Sequence, residues 1–202
     1  MMFKPDMLRA IRCGNKTVTR RLIKIDHLGW LKCDNHQWCF LHKDAGEHRI
    51  FKPRYYPGEI VDIKEAWATE KRYDHLKPRD IPRTAKIFYV SDGVGDWPIN
   101  LTIGKLRSPL FFMEWMARTF IQIMNVRLER LQEITPEDAL KEGMPPEGTE
   151  KPNGYQAYDN PIEEYAQLWD SINKAFPWTS NPYVWRIQFI KVDEPVGMAI
   201  RI

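Results

Sequence analysis

Apolar positions along this chain recur mostly at strand spacing and in short runs. They follow helical spacing in three places. The first is Pro5 to Cys13, where Met7, Leu8 and Ile11 fall at i, i+1 and i+4 with Ala10 beside them. Pro5 suits the first turn, where its missing N–H costs nothing, and Gly14 suits a left-handed stop. The second opens at Thr135-Pro136-Glu137-Asp138: a Thr cap, Pro at the first helical position and acids in the first turn. Ala139, Leu140 and Gly143 complete it, leaving Glu142 in the last turn, the end where the helix dipole disfavours an anion. Local misfits of that kind collect at functional positions, although a solvated surface Glu is the default. The third, Pro161 to Phe176, carries one apolar stripe of Ile162, Tyr165, Ala166, Leu168, Trp169, Ile172 and Phe176, and reads as core.

The strands are short. Tyr56-Pro57-Gly58-Glu59 is a turn signal that opens Ile60–Glu65, and Ala66-Trp67-Ala68 continues that strand. Lys86–Val90 is a strand stopped by Ser91-Asp92-Gly93. Thr119–Glu129 alternates well enough for a central strand, through Phe120, Ile121, Ile123, Val126 and Leu128. Tyr183–Val192 places Tyr183, Trp185, Ile187 and Phe189 on one face, with Arg186, Gln188 and Lys191 mostly off it. Lys71–Arg83, Gly93–Asn100 and Pro145–Asn160 read as loops, and Lys105–Arg118 has little clean periodicity. Strands outnumbering helices, with long irregular connections, argue for an α+β fold. Its sheet is small, mixed or antiparallel and curled into a barrel, with helices packed at one side.

The chain has 202 residues, enough for one domain that buries roughly 70 % of its unfolded surface. Hydrophobic residues make up 43 % and charged residues 28 %, ordinary for a globular protein. A net charge of +3 permits a nucleic-acid partner without arguing for one. The 8 Trp say more, because Trp stacks on bases as well as packing cores. An odd count of 3 Cys argues against a disulfide framework and for a reducing, cytoplasmic setting. Met1-Met2-Phe3-Lys4 does not read as a signal peptide. The most apolar window, Leu110–Met124, is interrupted by Glu114 and Arg118 and is too short to span a membrane.

Residues 26–56 read as an insertion or a long hairpin. They contain Cys33, His36, Cys39 and His42 at regular spacing, with His27 and His48 nearby. Four such side chains suit zinc, but the spacing departs from two close pairs separated by a long gap. Trp30, Leu31, Trp38, Phe40 and Leu41 among them equally suit a β-hairpin with scattered polar residues.

The stretch Gly14-Asn15-Lys16-Thr17-Val18-Thr19-Arg20-Arg21 begins where the first helix ends. N–H groups, hydroxyls and cations gathered in such a turn make an anion site, and Lys16 with Thr19 is equipped for chemistry. A capped turn with a solvated basic face is the plain alternative. Glu65 beside Trp67 is a second feature, readable as a site or as a rim acid and a core Trp.

Ala10-Ile11-x2-Gly14-x-Lys16-Thr17-x-Thr19-Arg20-Arg21 resembles the opening motif of the ASCH domain, a branch of the PUA-like superfamily. Pro57-Gly58-Glu59 to Ile63 followed by Glu65-x-Trp67 resembles a strand of its phage and prophage members, with Glu59 where Asp is usual. Arg118, the Thr135–Ala139 helix ending Glu142-Gly143-Met144, the Leu168–Asn173 helix and Asn181-Pro182-Tyr183-Val184-Trp185 follow in the same order. The resemblance spans the chain as one domain, residues 1–202, apart from insertions at about 26–56 and 71–104. It implies a PUA-like barrel of about five or six strands whose cleft is lined by the opening motif, and RNA or modified nucleotides as partners.

Small bacterial ASCH proteins include an amidohydrolase that deacetylates N4-acetylcytidine with a Lys, a Thr and a Glu. Matching motif to motif puts these at Lys16, Thr19 and Glu142, and no cofactor enters. In that scheme Lys16 activates the Thr19 hydroxyl, its pKa lowered by burial and by Arg20 and Arg21. Gly14, Thr17 and nearby N–H groups line the site and hold an oxyanion. Glu142 protonates the leaving amine or positions water, Trp67 stacks on the base, Arg118 holds a phosphate or a carbonyl, and Glu65 completes the ligand contacts. Two rivals remain: a non-catalytic reader of RNA or modified bases, and a nuclease, metal-assisted or not, whose metal-assisted form requires Asp62, Glu65 and Glu142 to converge on one ion.

Overall fold

The two longest strands form the middle of the molecule. In the computed structural model, which describes residues 1–23, 31–34, 37–41, 48–50, 52–93, 102–146, 149 and 160–194, the elements run as follows. Helix α1 (Pro5–Arg12) leads into strand β1 (Val18–Leu22). Then come β2 (Leu31–Asp34), β3 (Gln37–Leu41), β4 (His48–Ile50), β5 (Ile60–Asp62), β6 (Trp67–Thr69), β7 (Ile87–Tyr89) and β8 (Phe120–Arg130). Helices α2 (Pro136–Lys141) and α3 (Pro161–Ile172) precede the last strand, β9 (Tyr183–Val192). None of the described helices is long and apolar enough to cross a membrane.

The main sheet has the order β1-β9-β8-β5, every pair antiparallel. It curls into half of a barrel, and a bulge at Met124 shifts the β8–β9 register between Ile123 and Asn125, a device that bends a strand. The alternation of β9 sorts its side chains between two cores. Trp185, Ile187 and Phe189 join Leu8 and Ile11 of α1 and Ile121 and Ile123 of β8. Val184, on the opposite face, joins Ala139, Tyr165 and Trp169 of α2 and α3. Helices therefore cover both faces of the sheet, not one as the sequence suggests. Each helix has an apolar stripe to bury, and a sheet with two faces offers two places.

The open side of the half-barrel is spanned by the first residues. Lys64 donates its N–H to the Met1 carbonyl at 2.7 Å, Met2 bridges Lys64 in parallel, and Arg21 of β1 donates to the Met2 carbonyl at 2.8 Å.

Two expectations change. Trp67 does not continue the strand begun at Ile60. Strand β5 pairs with β8, whereas β6 leaves the sheet and pairs with β7. The second insertion is also more than a loop. Ile81 and Ala85 pack with Trp67, Phe112 and Met116 into a third core, which explains the bulky residues of Lys105–Arg118. Within the first insertion, β2, β3 and β4 form an antiparallel meander with Cys33 opposite Trp38 and Cys39 opposite Lys32, in keeping with the hairpin reading. His36 and His42, and the side chains of Cys33 and Cys39, lie outside the described residues, so the zinc reading falls outside them too.

Candidate functional site

Two turns meet to build the site. Helix α1 stops at Gly14, whose φ of +79° is the left-handed conformation that glycine adopts without strain. The Asn15 and Lys16 amides then both donate to the Ala10 carbonyl, at 2.8 and 3.1 Å, which folds the basic run back under the helix. At the other turn, α2 begins with the Thr135 hydroxyl accepting from the Asp138 amide and ends on Gly143 at φ +89°. Lys16 and Glu142 pair as an antiparallel bridge, reinforced by Thr17 N–H donating to the Lys141 carbonyl at 2.9 Å. A Cβ on Gly143 would stand 3.3 Å from that of Ala10 and 3.4 Å from that of Lys16. Glycine is what lets the turns touch.

This contact places the Lys16 ammonium against Glu142. Lys16 is 1 % exposed and Glu142 2 %. The Nζ donates to Glu142 Oε2 at 2.6 Å and to the Glu142 carbonyl at 2.7 Å. Burial pulls the Lys16 pKa below its ordinary value, opposed by the charge and hydrogen bond of Glu142. The other carboxylate oxygen, Oε1, accepts from Arg20 Nη1 at 3.2 Å. Arg20 also donates through Nε to Glu129 at 2.6 Å and through Nη2 to Asp138 at 2.7 Å. Arg186 grips both oxygens of Asp138, each at 2.7 Å. Its hydrogen bonds, ahead of those from Arg20, hold that carboxyl well below the usual carboxylate range despite burial.

The register explains the cluster. Arg20 pairs with Arg186, and Arg186 with Arg127, so three cations stand side by side across β1, β9 and β8 beneath α2. Three buried cations (Lys16, Arg20, Arg186) face three buried carboxylates (Glu129, Asp138, Glu142), and the network is neutral. Arg127, 53 % exposed, rims it through Glu129 at 3.0 Å.

A hollow of about 260 Å³ opens beside this network, walled by Thr19, Arg21, Glu142, Tyr165 and Trp169, with Lys4 at its rim. It falls near the lower end of small-molecule sites, about 300–1,000 Å³. Among the described residues the Thr19 hydroxyl makes no hydrogen bond, which leaves it available to a ligand. Lys16 lies behind Glu142 and does not line the hollow.

Lys16, Thr19, Glu142, Arg20 and Arg21 thus come together, although they span 126 residues from Lys16 to Glu142. The remaining candidates separate. Gly14 and Thr17 line a second hollow of about 650 Å³ with Lys141, Gly143 and Met144. The Gly14 amide is already bonded to the Ile11 carbonyl at 3.1 Å, so it serves the helix end and not an oxyanion beside Thr19. Glu65 is fully buried and holds Arg118 through two bonds of 3.1 Å, Arg12 at 3.2 Å and the Ser91 hydroxyl. Arg118 also grips Asp92 and lies 3.6 Å over the Tyr89 ring. That cluster ties α1 to the 3₁₀ turn at Val90–Asp92, and its residues line neither hollow. Trp67 is also fully buried, under the Arg107 guanidinium at 5.4 Å. It presents no face on which a base could stack.

Sequence reasoning missed the aromatic wall of the hollow. Tyr165 and Trp169 read as core from their stripe, and they are core, each 3 % exposed. Their remaining surface walls the hollow. Phe3 and Lys4 preceded any recognisable element and carried no signal. Among the described residues no three His, Cys, Asp or Glu side chains stand close enough together to hold a metal ion, so the convergence of Asp62, Glu65 and Glu142 that a metal-dependent nuclease requires is not found there. No family model, curated protein or solved structure matches the chain.

Proposed function

We propose that the hollow beside Glu142 binds a nucleoside-sized ligand and that Thr19, Glu142 and Lys16 hydrolyse an amide on it, with N4-acetylcytidine as the substrate the resemblance suggests. The observation that carries this reading is the buried Lys16–Glu142 pair, 2.6 Å apart, behind an unbonded Thr19 hydroxyl in one hollow. A lysine held against a carboxylate in a buried site can act in proton transfer, because burial weakens the ammonium form of Lys16 while the charge and hydrogen bond of Glu142 restore it.

The chemistry then runs in two balanced halves. The Thr19 Oγ adds to the acetyl carbonyl carbon as its proton passes to the Lys16–Glu142 pair. Collapse breaks the C–N bond, and the pair returns the proton to the exocyclic nitrogen, releasing cytidine. Water next adds to the acetyl ester of Thr19, giving one proton to the pair. The ester bond breaks, Thr19 regains a proton, and acetic acid leaves. Glu142 is the member that faces the ligand; Lys16 acts through it.

The test is release of acetate and cytidine from N4-acetylcytidine. Thr19→Val keeps the volume and removes the hydroxyl, and should lower turnover by at least about 10²-fold while leaving the melting temperature within a few degrees. Turnover unchanged in that variant removes the mechanism.

A second reading, a non-catalytic binder of modified bases, draws on a different observation. The Glu142 carboxylate already accepts from Lys16 and Arg20, and no hydrogen bond joins Thr19 to Lys16. Saturable binding of the nucleoside without acetate release would favour it.

A further inference from the structure

Most inward-facing cations of this protein have an anion to answer them. Arg20 and Arg186 hold buried carboxylates, as do Arg12 and Arg118. Arg107 instead donates to the carbonyls of Tyr73, Asp74 and Leu76. Arg21 is the exception. It leans over the Phe3 ring at 4.8 Å and, among the described residues, donates once, from Nη2 to the Met2 carbonyl. Its Nε is buried without a partner, as are those of Arg12 and Arg107, but for Arg21 no carboxylate of the described residues lies within ion-pair distance either. Burial, ahead of the opposing field of Glu142, lowers its pKa from the ordinary arginine value. A guanidinium has five N–H donors in a flat fork shaped for two oxygens of one anion. This one lines the hollow beside Thr19.

The rim repeats the pattern. Lys4 also lines the hollow, and among the described residues its ammonium meets only the Ser171 hydroxyl, at 3.2 Å. The one acid in the wall, Glu142, is neutralised by Lys16 and Arg20. Among the described residues, the wall therefore carries two positive charges with no carboxylate in ion-pair contact, beside apolar side chains that include Phe3, Met7, Tyr165 and Trp169. A neutral ligand would leave the partly buried Arg21 guanidinium unanswered, at a cost that burial makes larger.

We propose that Arg21 is the anion receptor of this hollow, with Lys4 assisting at the rim, and that the ligand carries an oxyanion. Resting on the nucleoside-amide reading above, this makes the substrate an acylated nucleotide with a phosphate monoester, or a nucleoside whose acyl group ends in a carboxylate. A plain acylated nucleoside is the poorer ligand. The aromatic wall takes the ring system and the guanidinium takes the anion, which sets the orientation of the amide against Thr19.

The experiment compares ligands that differ only in charge. Cytidine and cytidine 5′-monophosphate are titrated by calorimetry into the wild type. N4-acetylcytidine and N4-succinylcytidine are titrated into Thr19→Val, so that neither turns over. One anionic member should bind about 10- to 100-fold tighter than its neutral counterpart, with an advantage that shrinks as salt rises. The phosphate pair and the succinyl pair tell the two oxyanions apart. Arg21→Gln should erase the advantage and Arg21→Lys should keep part of it. Lys4→Gln, at the rim, should cost a smaller part and cannot disturb the core. Equal affinities in both pairs, or an advantage that survives Arg21→Gln, overturn the proposal. If Arg21→Gln does not fold, the salt dependence and Lys4→Gln decide the matter. Inorganic phosphate separates this proposal from the reading beneath it. A melting temperature raised by phosphate in the wild type and not in Arg21→Gln establishes the receptor even if no cytidine compound binds. In that case only the nucleoside assignment fails.

Discussion

Lys16 and Glu142 behave as one unit, because neither charge is tolerable in its place without the other. Removing one member of a buried pair strands a charge in low dielectric and costs about 3–5 kcal/mol, whereas replacing both with apolar residues of similar size is often neutral. Glu142→Ala should therefore destabilise the protein by about that amount in urea unfolding. The double change Lys16→Met with Glu142→Leu should recover most of it, because Arg20 keeps Glu129 and Asp138. A double variant as weak as the single one would show that the loss lies in packing and not in charge. Pairing of this kind is what a catalytic role needs and a solvated surface does not supply. At this scale the sequence was partly legible. The clash of Glu142 with its own helix dipole was visible, and it is resolved by Lys16 and Arg20, two cations brought in from elsewhere. For Trp67 and Glu65 the pattern offered a site, or a core Trp and a rim acid; Trp67 is core, and Glu65 is no rim acid but is fully buried against Arg12 and Arg118.

The unit of assembly is the contact between two helix ends. Helix α1 delivers Lys16 through the Gly14 turn, and α2 delivers Glu142 before Gly143. The two glycines share a positive φ but differ in surroundings. An Ala at Gly14 would meet nothing within 4 Å, and one at Gly143 would press on Ala10 and Lys16. Gly14→Ala should cost only the left-handed strain, about 1–2 kcal/mol. Gly143→Ala should cost more, and it alone should lower turnover or ligand affinity, since it moves the Lys16–Glu142 bridge. Equal losses from the two in stability and function would mean that the close approach does not matter. The elements themselves were readable. The Pro5, Thr135 and Pro161 starts and the alternation of β8 and β9 all appear as expected. What misled was the status of Arg186, which alternation puts off the apolar face. That face is not solvent: α2 covers it, and Asp138 waits there.

For the whole molecule, the Arg20–Arg186 network joins β1, β9, β8 and α2, so the fold and the site share a weakness to acid. Asp138 titrates well below the ordinary carboxyl value, chiefly because Arg186 donates to it. A depressed pKa contributes stability in full above the unfolded value of about 3.9 and loses it as pH falls below that. The urea midpoint should thus drop steadily below about pH 4. Asp138→Asn, weaker already at neutral pH, should show a shallower decline. Equal slopes would place the acid sensitivity elsewhere. The second insertion belongs at this scale too. Its residues look like a charged, Pro-broken loop because their apolar partners, Trp67 and Phe112, come from outside it.

Periodicity, caps and turn residues are local properties, and for most elements they were sufficient: where α1, α2 and α3 begin, where β8 and β9 alternate, and that an α+β chain would result. Motif order also pointed at Lys16, Thr19 and Glu142. Pairing across 126 residues is different, because a charge in a sequence does not say whether water or another charge will answer it. Desolvation depends on what packs above, and only the curled sheet with helices on both faces settles that. It buries Trp67, neutralises Glu142, and, among the described residues, leaves Arg21 without a counter-ion.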